Sequence, residues 1–375
     1  MLLAADRILF PDADAPAPGW LEIAGDRIVA AGTGPSPRPA DERLDGLVVP
    51  GFVDVHSHGG GGASFVTTDP DEVRTALAAH RRHGVTTMVA SLVTGTPEAL
   101  RAQVRTLAEL YRSGELAGIH LEGPWLAPEF HGAHPTGLLT APLPAQVADL
   151  LDAGEGAVKM VTIAPEREGA LASVALMAER GVVAAIGHTN TGYDQARAAI
   201  AAGARGTTHL FNAMAPLRHR EPGPILALLE DPRVWLELIA DGVHLRTELV
   251  AFIASIAPGR VVFVTDAMAA AAAPDGDYLL GELPVEVRDG VARVAGTDTI
   301  AGSTLTLDRA VRVAVAAGVP LPVAVRAATQ HAADYLSLTD VGRLAAGRRA
   351  DLVVLDEHLE VNRVLFRGDW LAEVG

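Results

Sequence analysis

The sequence predicts an α/β protein, a (β/α)8 TIM-like barrel with a small β-sandwich domain built from both chain ends. Three observations carry that expectation. At 375 residues the chain exceeds the usual single core, and a barrel of about 250 residues leaves roughly 100 for a satellite. The middle of the chain alternates short apolar runs with Ala- and Arg-rich helical stretches, the pattern of parallel strands joined by crossover helices. Both ends alternate apolar and polar residues in short runs broken by Gly and Pro.

In chain order, residues 1–48 hold runs such as WLEIAG and DRIVAAG and read as the first part of a small antiparallel β domain. The barrel is expected over 49–338. Its eight apolar runs lie at 48–55, 86–91, 118–121, 158–163, 182–186, 206–208, 235–240 and 261–265. Near 275–302 a turn-rich alternating stretch (LPVEVRDGVARVAG) reads as a β-hairpin insertion after the eighth strand. Residues 339–375 return to the strand-like style and complete the small domain.

Composition narrows the function. A net charge of −16 and a pI near 5.2 argue against a nucleic-acid partner, which demands basic patches. No stretch of about 18 apolar residues exists to span a membrane. The start carries acids where a secretory signal would be basic and apolar, so no targeting segment and a cytoplasmic location are expected. With no cysteine, any metal must sit on nitrogen and oxygen ligands. Lys159 is the only lysine, so an anionic substrate would rely on local arginines.

Barrel enzymes place their chemistry at the C-terminal strand ends, and five runs end in groups able to act there. The first ends in Asp54-Val55-His56-Ser57-His58, where alternate residues share a face and both imidazoles can point into the mouth. Gly59 to Gly62 follow, either as a close backbone approach to the site or as a plain loop. Glu122 closes the third run; His188 and His209 follow the fifth and sixth. Singly, each residue is more often structural. Two imidazoles and one carboxylate from three strand ends have the composition of a catalytic zinc site with an open position. Asp266 follows the eighth run and suits a general base and acid beside metal-bound water, or a helix cap. Arg218, His219 and Arg220 form the densest basic cluster near any motif.

The motifs PGFVDVHSHG (50–59), HLEGPWL (120–126), KMVTIAPE (159–166), GHTN (187–190), THLFNAM (208–214), REPG (220–223), ADGVH (240–244), VTDAM (264–268) and AGSTLT (301–306) together resemble the amidohydrolase superfamily, and within it the N-acetylglucosamine-6-phosphate deacetylases. The resemblance spans nearly the whole barrel. It implies removal of an acetyl group from an amino-sugar phosphate, in amino-sugar catabolism and cell-wall recycling. It implies one or two divalent cations per subunit, zinc first and iron, manganese or cobalt as alternatives. Glu122, His188 and His209 match the principal ligands, His56 and His58 with Asp266 allow a second metal, and Asp266 matches the acid–base residue. His134 matches the group polarising the acetyl carbonyl. Asn212, the backbone of Ala213, Arg220, His244 and Ile300 match substrate contacts, with part of the phosphate grip crossing a homodimer interface. Lys159 sits at the start of its run and reads as structural, and His131 as an exposed loop residue.

Overall fold

The structure, a computed structural model, describes residues 1–372. Eight parallel strands lie side by side in chain order: Phe52–Ser57, Val85–Val93, Gly118–Glu122, Val158–Ile163, Val183–Ile186, Gly206–Thr207, Trp235–Leu238 and Val261–Phe263. The ring closes at its C-terminal mouth, where Ser57 bridges Ala267 in parallel. There His58 N–H donates to Ala267 O at 2.7 Å and Asp266 N–H to His56 O at 2.8 Å. Buried Asp54 ties the seam, accepting from Thr265 Oγ1 at 2.6 Å. Strand residues such as Val53, Ile119, Val161, Leu236 and Phe263 are fully buried because helices cover the outside and side chains fill the inside.

The helices begin where sequence signals put them. Asp69 caps Pro70–Arg82 by accepting from Asp71 N, and Thr96 caps Pro97–Arg112 by accepting from Ala99 N, each with proline in the first turn.

Both chain ends enter one seven-stranded sheet around its own core of Leu3, Leu21, Ile28, Val48 and Leu352. The edge strand Arg27–Thr33 bonds to the segment that leads into Leu352–Leu355, a middle strand of the same sheet: Ile28 N–H to Arg348 O at 2.9 Å and Gly347 N–H to Ile28 O at 2.8 Å. One pairing departs from the antiparallel expectation, since Leu2–Ile8 runs parallel to Glu42–Pro50. The run expected as one barrel strand over 48–55 is also split. Val48 to Pro50 belong to the terminal sheet, and the barrel strand begins only at Phe52. Gly51 marks the break, for a Cβ there would lie 2.2 Å from Thr86 Oγ1. The insertion is a three-stranded meander (Gly276–Leu280, Leu283–Arg288, Val291–Val294), one strand more than a hairpin.

Candidate active site

A cavity of about 300 Å³ opens at the C-terminal mouth, lined among others by His58, Glu122, His134, His188, His209 and Asp266. His188 (φ 47°), His209 (φ 31°) and Asp266 (φ 47°) all take the left-handed conformation just past their strands. That costs each non-glycine residue about 1–3 kcal/mol, and it turns each side chain from the strand direction into the mouth. Gly187 permits this crowding, because a Cβ there would lie 2.6 Å from Thr208 Cβ.

Glu122 is the hub. Its Oε1 lies 3.2 Å from His188 Nε2 and 3.0 Å from His209 Nε2, and those nitrogens are 3.1 Å apart. Its Oε2 lies 3.0 Å from His58 Nε2 and 3.5 Å from His56 Nε2. Asp266 Oδ1 completes the second group at 3.2 Å from His58 and 3.3 Å from His56. Donors about 2.1 Å from one tetrahedral cation sit about 3.4 Å apart, so both groups have the spacing of a ligand shell.

The donor chemistry agrees. The Nδ1–H groups of His188 and His58 are engaged by backbone carbonyls, Phe130 O at 2.8 Å and Ser91 O at 3.2 Å, which leaves each Nε2 lone pair facing inward. Burial holds His188 down to about 4, hence neutral. Burial likewise lowers His56, but the charges of Glu122 and Asp266 prevail and raise it well above the ordinary histidine value. Burial raises Glu122, yet the charge of His56 and the adjoining imidazoles of His134, His188 and His209 bring it well below the carboxylate range. The carboxylates thus draw positive charge into the cluster, a demand that a divalent cation meets without those protons.

His134 differs. Thr94 N–H donates to its Nδ1 at 3.3 Å and Thr94 Oγ1 lies 2.9 Å away, so Nδ1 is an acceptor and the ring proton sits on Nε2. That nitrogen, 3.6 Å from Glu122 Oε2, is close enough to Glu122 and His188 to share a cation, but with its proton in place it has no lone pair to offer and acts as a hydrogen-bond donor into the cavity.

Asn212, Ala213, His244 and Ile300 line the same cavity. Asp241 Oδ2 accepts from His244 Nδ1 at 2.7 Å, turning His244 Nε2 away from Asp241. Arg220 stands apart, in a neighbouring groove with Asn190, Tyr193 and Arg218, and among the described residues no arginine or lysine lines the cavity. Arg218 is exposed, 3.7 Å from Glu221, and His219 is exposed too. His131 is half-buried, its Nδ1 donating to His134 O at 3.0 Å. Lys159 sits away from the mouth, with Nζ 4.9 Å from the Tyr111 ring. Gly59 and Gly60 pair with Ser64 and Ala63 and pack on His80 rather than forming a free loop. No helix follows Asp266, which removes the cap reading.

Sequence reasoning missed the supports behind the ligands: Asp54, Ser91, Thr94, His120 and Glu237. Asp54 and Glu237 carried one usable signal, a charge set within a strand that is otherwise apolar.

Imidazoles and carboxylates converging from several strand ends of a closed parallel barrel, around a hub carboxylate, define a hydrolase barrel equipped for a divalent metal. The chain belongs to the amidohydrolase family, whose model matches residues 47–371. It is 38% identical over 360 residues to an N-acetylgalactosamine-6-phosphate deacetylase of Escherichia coli O157:H7, covering 93% of this chain and 95% of that one. It is 37% identical to an N-acetylglucosamine-6-phosphate deacetylase of Danio rerio, covering 88% and 86%. Among solved structures it matches an N-acetyl-D-glucosamine-6-phosphate deacetylase of Mycobacterium smegmatis with a TM-score of 0.96 and 53% identity, over 99% of this chain and 98% of that one. That protein was determined as a mutant in complex with N-acetyl-D-glucosamine-6-phosphate.

Proposed function

We propose that this chain hydrolyses the acetamide of N-acetyl-D-glucosamine 6-phosphate to D-glucosamine 6-phosphate and acetate. One observation carries the reading: each oxygen of Glu122 meets its own pair of imidazoles, with Asp266 and the His134 donor facing the same cavity. Glu122, His188 and His209, mutually 3.0–3.2 Å apart, would hold one divalent cation, zinc by ligand type, and His56, His58, Glu122 and Asp266 a second. When bound, such a cation makes water a nucleophile near neutral pH and polarises the acetyl oxygen.

This chain's residues do the rest. Burial raises Asp266, but His56 and His58 overcome it and hold the carboxyl at about 2, so it is ionised and ready to take a proton from the attacking water. His134 Nε2–H donates to the acetyl oxygen as negative charge gathers there. Asp266 then returns its proton to the departing nitrogen, and the amine and acetate separate.

Binding follows from the lining. His244, backed by Asp241, and the Asn212 and Ala213 segment receive the sugar phosphate beside Ile300. Arg220 lies outside its own cavity, which supports the reading that it reaches the cavity of a second copy. A cytoplasmic setting and a role in amino-sugar catabolism belong to the same proposal.

The test is acetate release from N-acetylglucosamine 6-phosphate, its galacto epimer and unphosphorylated N-acetylglucosamine. The first should be turned over best and the last poorly; indifference to the phosphate would overturn the assignment. Preference for the galacto epimer would favour the second reading, which the Escherichia coli relative supports.

A further inference from the structure

We infer that Glu237 is the positioning residue that makes His56 a metal ligand, so that the second cation position is held through a carboxylate–imidazole pair buried in the barrel. This rests on the metal reading above and extends it to a residue outside the ligand set. Glu237 lies in the seventh strand, fully buried, with its side chain inside the barrel. Its Oε2 lies 3.1 Å from His56 Nδ1 and 3.3 Å from the backbone nitrogen of His209. A backbone N–H can only donate, so that oxygen is an acceptor. His56 Nδ1 must therefore carry its proton to bond there, which leaves the Nε2 lone pair directed at Glu122 Oε2, Asp266 Oδ1 and His58.

The ring has little freedom to adopt another arrangement. His56 is 0% exposed and packs edge-on against His120 at 4.5 Å between centroids. His120 is itself fixed, Nδ1 to Ser91 Oγ at 2.9 Å and Nε2 to Thr162 Oγ1 at 2.8 Å. Of the four imidazoles that meet Glu122 as candidate ligands, His58 and His188 are backed by neutral backbone carbonyls, His209 Nδ1 has no partner among the described residues, and His56 is backed by a carboxylate. A charged acceptor raises the basicity of the opposite nitrogen and so strengthens it as a ligand. The other oxygen of Glu237 has no partner within hydrogen-bond distance among the described residues; its polar neighbour is the buried hydroxyl of Tyr335. A buried carboxylate so sparsely bonded is costly unless positive charge sits close by, and a cation one imidazole away supplies it.

Glu237→Gln keeps the shape and an accepting oxygen while removing the charge. Metal titration of the stripped protein, read by elemental analysis and by cobalt absorption, should show two equivalents in the unaltered chain. In E237Q, one equivalent should bind about ten- to a hundredfold more weakly, with the other unchanged. Because a buried substitution can act through the fold, the same change is made in a His56→Asn background. There E237Q should have no further effect on metal affinity, as its target is gone. Unchanged affinity for both equivalents, equal weakening of both, or a further loss in the H56N background would each overturn the inference. Metal binding is read without substrate, so failure of the deacetylase assignment would leave this result standing on its own.

Discussion

Replacing His134 by alanine isolates one hydrogen bond. With Nδ1 occupied by Thr94, the ring offers a single Nε2–H to the cavity. Loss of one donor to a developing oxyanion lowers kcat about 10²- to 10³-fold, or about 2.7–4 kcal/mol of barrier. KM should change little, because the bond strengthens only as charge builds on the acetyl oxygen. Steady-state acetate release measures this, with a thermal melt to confirm folding. The companion Thr94→Val removes the hydroxyl but keeps the backbone N–H on Nδ1 and should cost only about 1 kcal/mol. A kcat for H134A within fivefold of the unaltered protein would refute the donor role.

Further outcomes follow from other residues. Asp266→Asn should lower kcat by about 10²- to 10⁴-fold, while the cation held by Glu122, His188 and His209 is retained on elemental analysis. Arg220→Ala should raise KM for the phosphorylated sugar and leave turnover of the unphosphorylated one unchanged, in a kinetic comparison of the two. Burial raises Asp308, but the His83 hydrogen bond and the Arg312 charge prevail and hold it at about 2. Its folded value lies below its unfolded one, so it contributes about 2 kcal/mol above pH 4, lost as pH falls toward 2. Denaturant melts of the unaltered protein and D308N should therefore differ by about that much at pH 6 and converge near pH 2.

Much of this architecture is legible in the sequence because its signals are local. The period of two in Asp54-Val55-His56-Ser57-His58 puts both imidazoles on one face, and the structure brings them within 3.3 Å of each other. Glu122, His188, His209 and Asp266 could be placed at strand ends by counting apolar runs, and they meet because the runs close into a ring. What escaped depends on contacts that only the closed barrel creates. Glu237 sits mid-strand in an apolar run, and the donors to its carboxylate come from residues 181 and 28 positions away. Arg220 looked like part of the cavity because it is near a motif in sequence, yet its loop carries it into the next groove. The boundary near residue 50 was misread because continuous hydrophobicity hides the point where a chain leaves one sheet for another.

The most direct measurement is the metal content of Glu122→Gln after dialysis. Both donor groups share that carboxylate, so the substitution should empty both positions together and abolish acetate release, while the fold and its melting transition persist. A Glu122→Gln protein that keeps its full complement of metal and deacetylates at the unaltered rate would contradict a cation gathered at the barrel mouth beside Asp266.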